Sequence, residues 1–220
     1  DRAGLILSAT RNLPPAERPD ALNTAFTYNA ASEIDSLTYD AAGRLTSDSS
    51  RNYTWNQASQ LTAIQTDSTT STMLYDGMGY RTSVTTGAST RRYVWNYGLG
   101  MPTINIERDG ADNDSRYFVT TPAGALLYSV DATTEARTDY HYDEAGNTLF
   151  LTDANGDLVT SYAYTPYGQR AAGVDTQLNP FTWQGMWGVM DEGDGLYYMR
   201  ARYYDSGTAR FISRDPVASI

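Results

Sequence analysis

Tyr39-Asp40-Ala41-Ala42-Gly43-Arg44-Leu45 is the stretch whose reading settles the architecture. The aromatic ends a strand and packs, the aspartate folds its side chain onto the backbone two residues on, and the glycine supplies positive φ for the turn. The Arg-Leu-Thr that follows begins another strand, so one unit is a hairpin corner. The unit recurs. Tyr28-Asn29-Ala30-Ala31-Ser32-Glu33-Ile34 precedes it, and Trp55-Asn56-Gln57-Ala58-Ser59-Gln60-Leu61 and Tyr75-Asp76-Gly77-Met78-Gly79-Tyr80-Arg81 follow. Further on come Tyr142-Asp143-Glu144-Ala145-Gly146-Asn147 and a degenerate Tyr164-Thr165-Pro166-Tyr167-Gly168. Self-similarity of this kind is the mark of a repeat architecture.

Between corners the chain alternates as strands do, in Tyr53–Trp55, Thr72–Tyr75, Arg92–Trp95, Arg116–Val119, Ala125–Val130 and Leu158–Tyr162. No capped run of helical period is present. The expected fold is all-β, an antiparallel β-meander of Tyr-Asp repeats. Pro14, Pro15 and Pro19 mark 12–20 as an exposed excursion, Asp109–Asp114 reads as a polar loop tip, and 169–178 as a linker. None divides the chain convincingly, so 1–178 is expected as a repeat sheet and 179–220 as a closing motif continuous with it. Asp1-Arg2-Ala3-Gly4-Leu5 matches the tail of one more unit, which leads us to expect a piece of a longer polypeptide.

The closing stretch is the densest run of aromatics and arginines. Leu196–Tyr198 and Arg202–Tyr204 flank a Met-Arg-Ala centre, and Asp205-Ser206-Gly207 closes the second run, which is a hairpin signal. A strand that interleaves Arg with Tyr places rings on one face and guanidinium groups on the other, where Arg200 and Arg202 are expected to meet carboxylates.

Gly195–Pro216, GLYYMRARYYDSGTARFISRDP, closely resembles the terminal motif of RHS-repeat, or YD-repeat, proteins, whose usual form is close to GLYYNRYRYYDPETGRFISQDPIGL. NPFTWQG at 179–185 stands where that family has NPFRFQG. The resemblance implies a long β-sheet coiled into a hollow, plugged shell, which encloses a C-terminal toxin in bacteria and serves adhesion in the animal teneurins. It implies a secreted or cell-surface location, a non-enzymatic structural role, and as partners the remaining shell of a longer polypeptide or further copies of this chain, with an enclosed toxin domain. Structural roles are expected for Tyr39, Asp40 and Gly43, for Tyr75, Asp76 and Gly79, and for Tyr142, Asp143 and Gly146. In the closing motif they fall to Tyr197, Tyr198, Arg200, Arg202, Tyr203, Tyr204, Asp205 and Phe211.

Composition narrows the alternatives. A net charge of −10 disfavours nucleic acid and anionic membrane surfaces, since a nucleic-acid binder needs a basic patch to displace counterions. No segment approaches the length of a membrane-spanning helix. Every basic residue is arginine, which suits fixed planar pairing with carboxylates. With no cysteine, disulfides and thiolate metal sites are excluded. Tyrosine at 18 against phenylalanine at 5 suits half-buried pleated surfaces that keep the hydroxyl wet.

Candidate chemistry is sparse, and no cofactor is expected. His141 is the single histidine, set between Tyr140 and Tyr142, where packing explains it better than a triad. In the bacterial family the segment beyond the closing motif is an aspartate-dependent self-cleaving protease, and Arg214-Asp215 stands where that family has its Arg-Asp pair. Acid–base work by carboxylates needs two sharing a proton, and the second has no counterpart here, so Arg214 and Asp215 are expected to form a structural pair. Asp153, Asn155 and Asp157 space oxygens like the start of a calcium loop, yet the glycine that loop needs is Leu158, and an Asn-Gly turn explains the run. Asp191–Gly195 is read the same way. Trp183 and Trp187 are the best candidates for stacking on a glycan. A self-assembling extracellular fibre, with strands pairing between copies, is the alternative to the shell, and a carbohydrate-binding adhesion module the next.

Overall fold

The computed structural model describes residues 19, 24–170 and 179–215. The partial unit at Asp1–Leu5, Pro14, Pro15, most of the linker after Gln169 and the terminal Val217–Ile220 lie outside the described residues.

Thirteen strands, from Thr38–Tyr39 to Leu158–Ser161, form one antiparallel sheet hydrogen-bonded in strict chain order. A second sheet, of Met190–Asp191, Leu196–Met199, Arg202–Asp205 and Arg210–Phe211, closes the described chain. The one helical element among the described residues is a 3-10 turn at Gly185–Trp187. The fold is all-β, and alternation finds the strands it should: Tyr53–Trp55 lies in Asn52–Trp55 and Arg92–Trp95 in Ser89–Asn96.

Sequence reading treats Asp109–Asp114 as a loop outside the repeat, and the structure corrects this. Asp109 accepts the amides of Ala111 and Asn113 at 2.9 Å each, as Asp76 does from Met78 and Tyr80. The corner needs a side-chain oxygen that accepts the amide four residues on, and a residue at positive φ. Gly79 supplies the latter at +89° and Asp112 at +69°. The aromatic is dispensable.

Each five-residue corner is followed by a register shift. Leu74 faces Ser83 and Tyr75 faces Arg81, leaving Thr82 as the extra residue, and Trp55, Trp95 and Tyr142 sit beside the same irregularity. Bulges raise the local twist, so one placed at every such corner curls the sheet. The concave face holds the core, where Leu45, Leu61, Met73, Val84, Phe118 and Leu151 of the long sheet pack with Phe181, Met190, Leu196, Tyr198 and Ile212 of the closing segment. Each such side chain contributes about 1.5–3 kcal/mol by leaving water.

Candidate functional site

Because the strands run in order, corners alternate between the sheet's two edges. Asp40, Asn56, Asp76, Asp143 and Thr165 lie on one edge, and Asp48, Asp109, Asp131 and Asp153 on the other. The first edge carries the aromatics, and each does more than pack. The hydroxyl of Tyr75 donates to the Leu61 carbonyl at 2.7 Å, that of Tyr142 to Leu126 at 2.9 Å, and that of Tyr164 to Thr148 at 2.7 Å. Trp55 and Trp95 use the indole N–H in the same way, donating to Leu45 at 2.7 Å and Arg81 at 2.8 Å. The expectation of wet hydroxyls is therefore wrong at these corners. A ring without a donor leaves the carbonyl at the strand start unpaired, which accounts for Tyr and Trp where Phe would pack as well.

The closing segment sits on this edge and touches corners along its whole length. Arg210 donates to the Ser32 carbonyl at 2.8 Å, the Leu45 amide to Ile212 at 2.8 Å, and Met186 to Gly146 at 3.1 Å. Tyr197 donates to Gly168 at 2.7 Å. Its side chains also use the corner glycines as seats. A Cβ on Gly43 would lie 2.3 Å from Arg214 Nε, on Gly146 2.6 Å from Trp187 Nε1, and on Gly168 2.6 Å from Trp183 Cδ2.

Arg81 is the centre of the docking. Its side chain has no exposed surface and pairs with Glu192 at 2.6 Å. It donates to Tyr203 Oη at 3.0 Å and lies 4.2 Å from the Tyr198 ring centroid, while its own amide donates to Tyr198 Oη at 3.0 Å. A second buried pair, Arg170 with Asp191 at 2.7 Å, ties the last corner to the closing sheet. Burial pushes the Asp191 carboxyl up in spite of Arg170. Asn179 joins them, accepting from Tyr140 at 3.1 Å and donating to the Phe181 carbonyl at 2.9 Å. Sequence reading passed over Arg81, Arg170 and Asn179, which look like any strand-start arginine or loop asparagine.

Several candidates are placed differently from expectation. Arg200 is not on a strand face. It occupies the hairpin turn at φ +58°, and its guanidinium donates to the carbonyls of Pro102 at 3.2 Å and Trp187 at 2.5 Å, so it caps backbone where a carboxylate was expected. Arg202 does meet a carboxylate, that of Asp215 at 3.0 Å, and covers the Phe211 ring at 3.7 Å. Asp215 thus pairs with Arg202, whereas Arg214 rests on Gly43, in place of the expected Arg214–Asp215 pair. Trp183 stacks on Tyr204 at 5.0 Å and, like Trp187, faces a corner glycine of its own chain. Tyr203 and Tyr197 are fully buried, and Asp205 accepts the Gly207 amide at 3.0 Å. His141 stacks on Phe150 at 4.3 Å and bonds Thr152 at 2.9 Å. Asp153 receives the amides of Asn155 and Asp157 at 2.9 Å each, and these bonds hold its carboxyl below the usual range. Among the described residues no group of three acidic or histidine side chains is arranged to hold a metal ion.

No protein-family model matches the chain. Among curated proteins it is 30% identical over 190 residues to the tRNA nuclease WapA of Bacillus subtilis, a match covering 83% of this chain and 8% of that protein. It is 37% identical over 91 residues to the toxin protein Tse5 of Pseudomonas aeruginosa, covering 40% of this chain and 7% of that one. The chain is an RHS-type repeat protein. The Photorhabdus luminescens Tc holotoxin pore shares its fold, with a TM-score of 0.63 and 18% identity over 86% of this chain and 10% of the matched one. The RHS-type chain in hand thus spans under a tenth of the curated relatives it matches.

Proposed function

We propose that this chain is a non-enzymatic part of an encapsulating RHS shell in an exported, toxin-type polypeptide, and that its closing segment is the tie that holds the end of the shell shut. The observation that carries the reading is the line of contacts from Ser32 and Gly43 to Gly168, which places one short sheet across the first and last corners of a thirteen-stranded one. A flat meander has no need of such a tie; a curled sheet with something inside it has. The partners are then the preceding turns of the shell and an enclosed toxin domain. The likeness to curated toxins supports the association. Bound to a corner edge, Trp183 and Trp187 act as structural plugs, and the YD aspartates as turn formers.

Intact mass of the native material, with its assembly state, tests this. A much longer polypeptide whose enclosed segment resists protease, and loses that resistance in a Trp183→Ala, Trp187→Ala double variant, is expected. A short chain recovered as a polymer would instead identify a fibre subunit built by strand pairing.

A further inference from the structure

We infer that the closing hairpin seats on the long sheet through a bound halide, a single chloride held between the Arg200 guanidinium and the Thr103 hydroxyl. The inference goes beyond the shell reading and holds for any assembly in which the closing segment is docked.

A cavity of about 20 Å³ lies beneath the hairpin turn at Arg200, walled by Trp95, Ile104, Phe118 and Phe181. A space of that size takes one water-sized particle, so carboxylates, phosphates and sugars are too large for it. Arg200 is the only charged residue of the wall. Facing the same space, Thr103 opens the strand Thr103–Arg108 and is 5% exposed. Its Oγ1 has no hydrogen-bond partner among the described residues, so a buried hydroxyl donor is left over.

The charge of Arg200 decides what the space takes. Its Nε donates to the Pro102 carbonyl and its Nη2 to the Trp187 carbonyl, which leaves three of the five guanidinium donors. Both acceptors are neutral, and among the described residues no carboxylate lies within ion-pair distance of Arg200. Burial accordingly draws this guanidinium below the usual arginine range. At Arg81 and Arg170 the same burial is overcome by Glu192 and Asp191, and the values rise. Arg200 is thus a partly buried cation whose counter-ion the described chain does not supply. A water would accept from the Thr103 hydroxyl and leave that charge standing. A monatomic anion accepts from both groups and cancels it. Among halides, chloride and bromide shed their hydration more readily than fluoride, which suits a wall that is otherwise mostly apolar.

The test compares the denaturation midpoint of residues 1–220 in sodium chloride, bromide, fluoride and gluconate at one ionic strength. With a Kd on the order of 10 mM, about 150 mM chloride should raise the folded-to-unfolded ratio about 16-fold. The midpoint should therefore stand higher in chloride and bromide than in fluoride or gluconate. Crystals grown in bromide should show an anomalous peak within hydrogen-bond distance of Arg200 and Thr103. Thr103→Val keeps the shape and removes the donor, so it should weaken the halide response about tenfold and leave stability in gluconate intact. Arg200→Gln should abolish the response, and Arg108→Ala, on the bare edge, should keep it. Equal midpoints in chloride and gluconate, a water alone at the position in bromide crystals, or a response undiminished in Thr103→Val would overturn the proposal. None of these outcomes depends on the length of the native polypeptide, so they leave the shell reading to its own test.

Discussion

The two edges of the long sheet are built from one kind of corner and end in different surroundings. On the covered edge, Gly146 and Gly168 have φ of +87° and an indole lies where a Cβ would go. On the bare edge, Gly156 has φ of +88° and nothing lies within 4 Å of that point. The same backbone geometry therefore answers to two demands on one side and to one on the other. A repeat glycine is a turn former everywhere and a docking seat only where the closing segment arrives.

The comparison can be broken most directly at Arg81. Arg81→Met leaves Glu192 buried without its counter-ion, and a loss of about 3–5 kcal/mol is expected in chemical denaturation. Arg108→Ala removes the half-exposed pair with Asp114 on the bare edge and should leave the midpoint in place. Equal effects would remove the distinction between the edges.

Gly146→Ala and Gly168→Ala sharpen it. Each should cost about 2–4 kcal/mol, combining backbone strain with displacement of Trp187 or Trp183, whereas Gly156→Ala should cost about 1 kcal/mol, from strain alone. Tryptophan emission should shift in the first two and not in the third. If the three variants melt together, the seats contribute nothing.

Smaller effects belong to single hydrogen bonds. Tyr142→Phe, which removes only the donor to Leu126, and Asp40→Ala or Asp76→Ala should each cost about 1 kcal/mol. Retained stability with loss of some binding activity would show that the aspartates serve a ligand and not the turn.

Acid gives the least and most local effect. Backbone amides hold Asp131 and Asp153 of the bare edge below the usual carboxylate range. A lowered folded value means the stabilisation is complete above the unfolded value and lost as pH falls through the folded one, so these corners should loosen below about pH 4. Asp191 has the opposite sign. Its carboxyl is raised by burial, so it takes up a proton at higher pH than the bare corners do and gives up the Arg170 ion pair first. That uptake favours the folded state, so the closing sheet around it should outlast the bare corners. Amide exchange at Asn155 and Asp157, against that at Asp191, measures the order.

What was legible in the sequence follows from distance along the chain. The Tyr39–Leu45 corner is readable because carboxylate, amides and positive-φ glycine lie within five residues, and the alternation of Ser89–Asn96 because burial has period two. The seating of Trp187 on Gly146 leaves no local trace, and nothing around Arg81 marks it as the most buried cation of the sheet. Arg200 misled because a two-residue turn and a continuing strand look alike when both are flanked by aromatics. The corner at Asp109 is not legible in the sequence because Arg108 precedes it where the repeat units carry an aromatic.

The strict chain order of the thirteen strands has a consequence for how the molecule is made. Every strand finds its partner in the one just before it, so the sheet can lengthen at its growing end while the polypeptide is still being synthesised or threaded through a pore. The amides of Leu45, Arg81 and Thr148 are exceptions, since their acceptors, the Ile212 carbonyl, the Tyr198 hydroxyl and the Thr182 carbonyl, belong to the closing segment. Assembly is thus sequential through the thirteen strands, and the closing segment that follows them then locks what has been laid down.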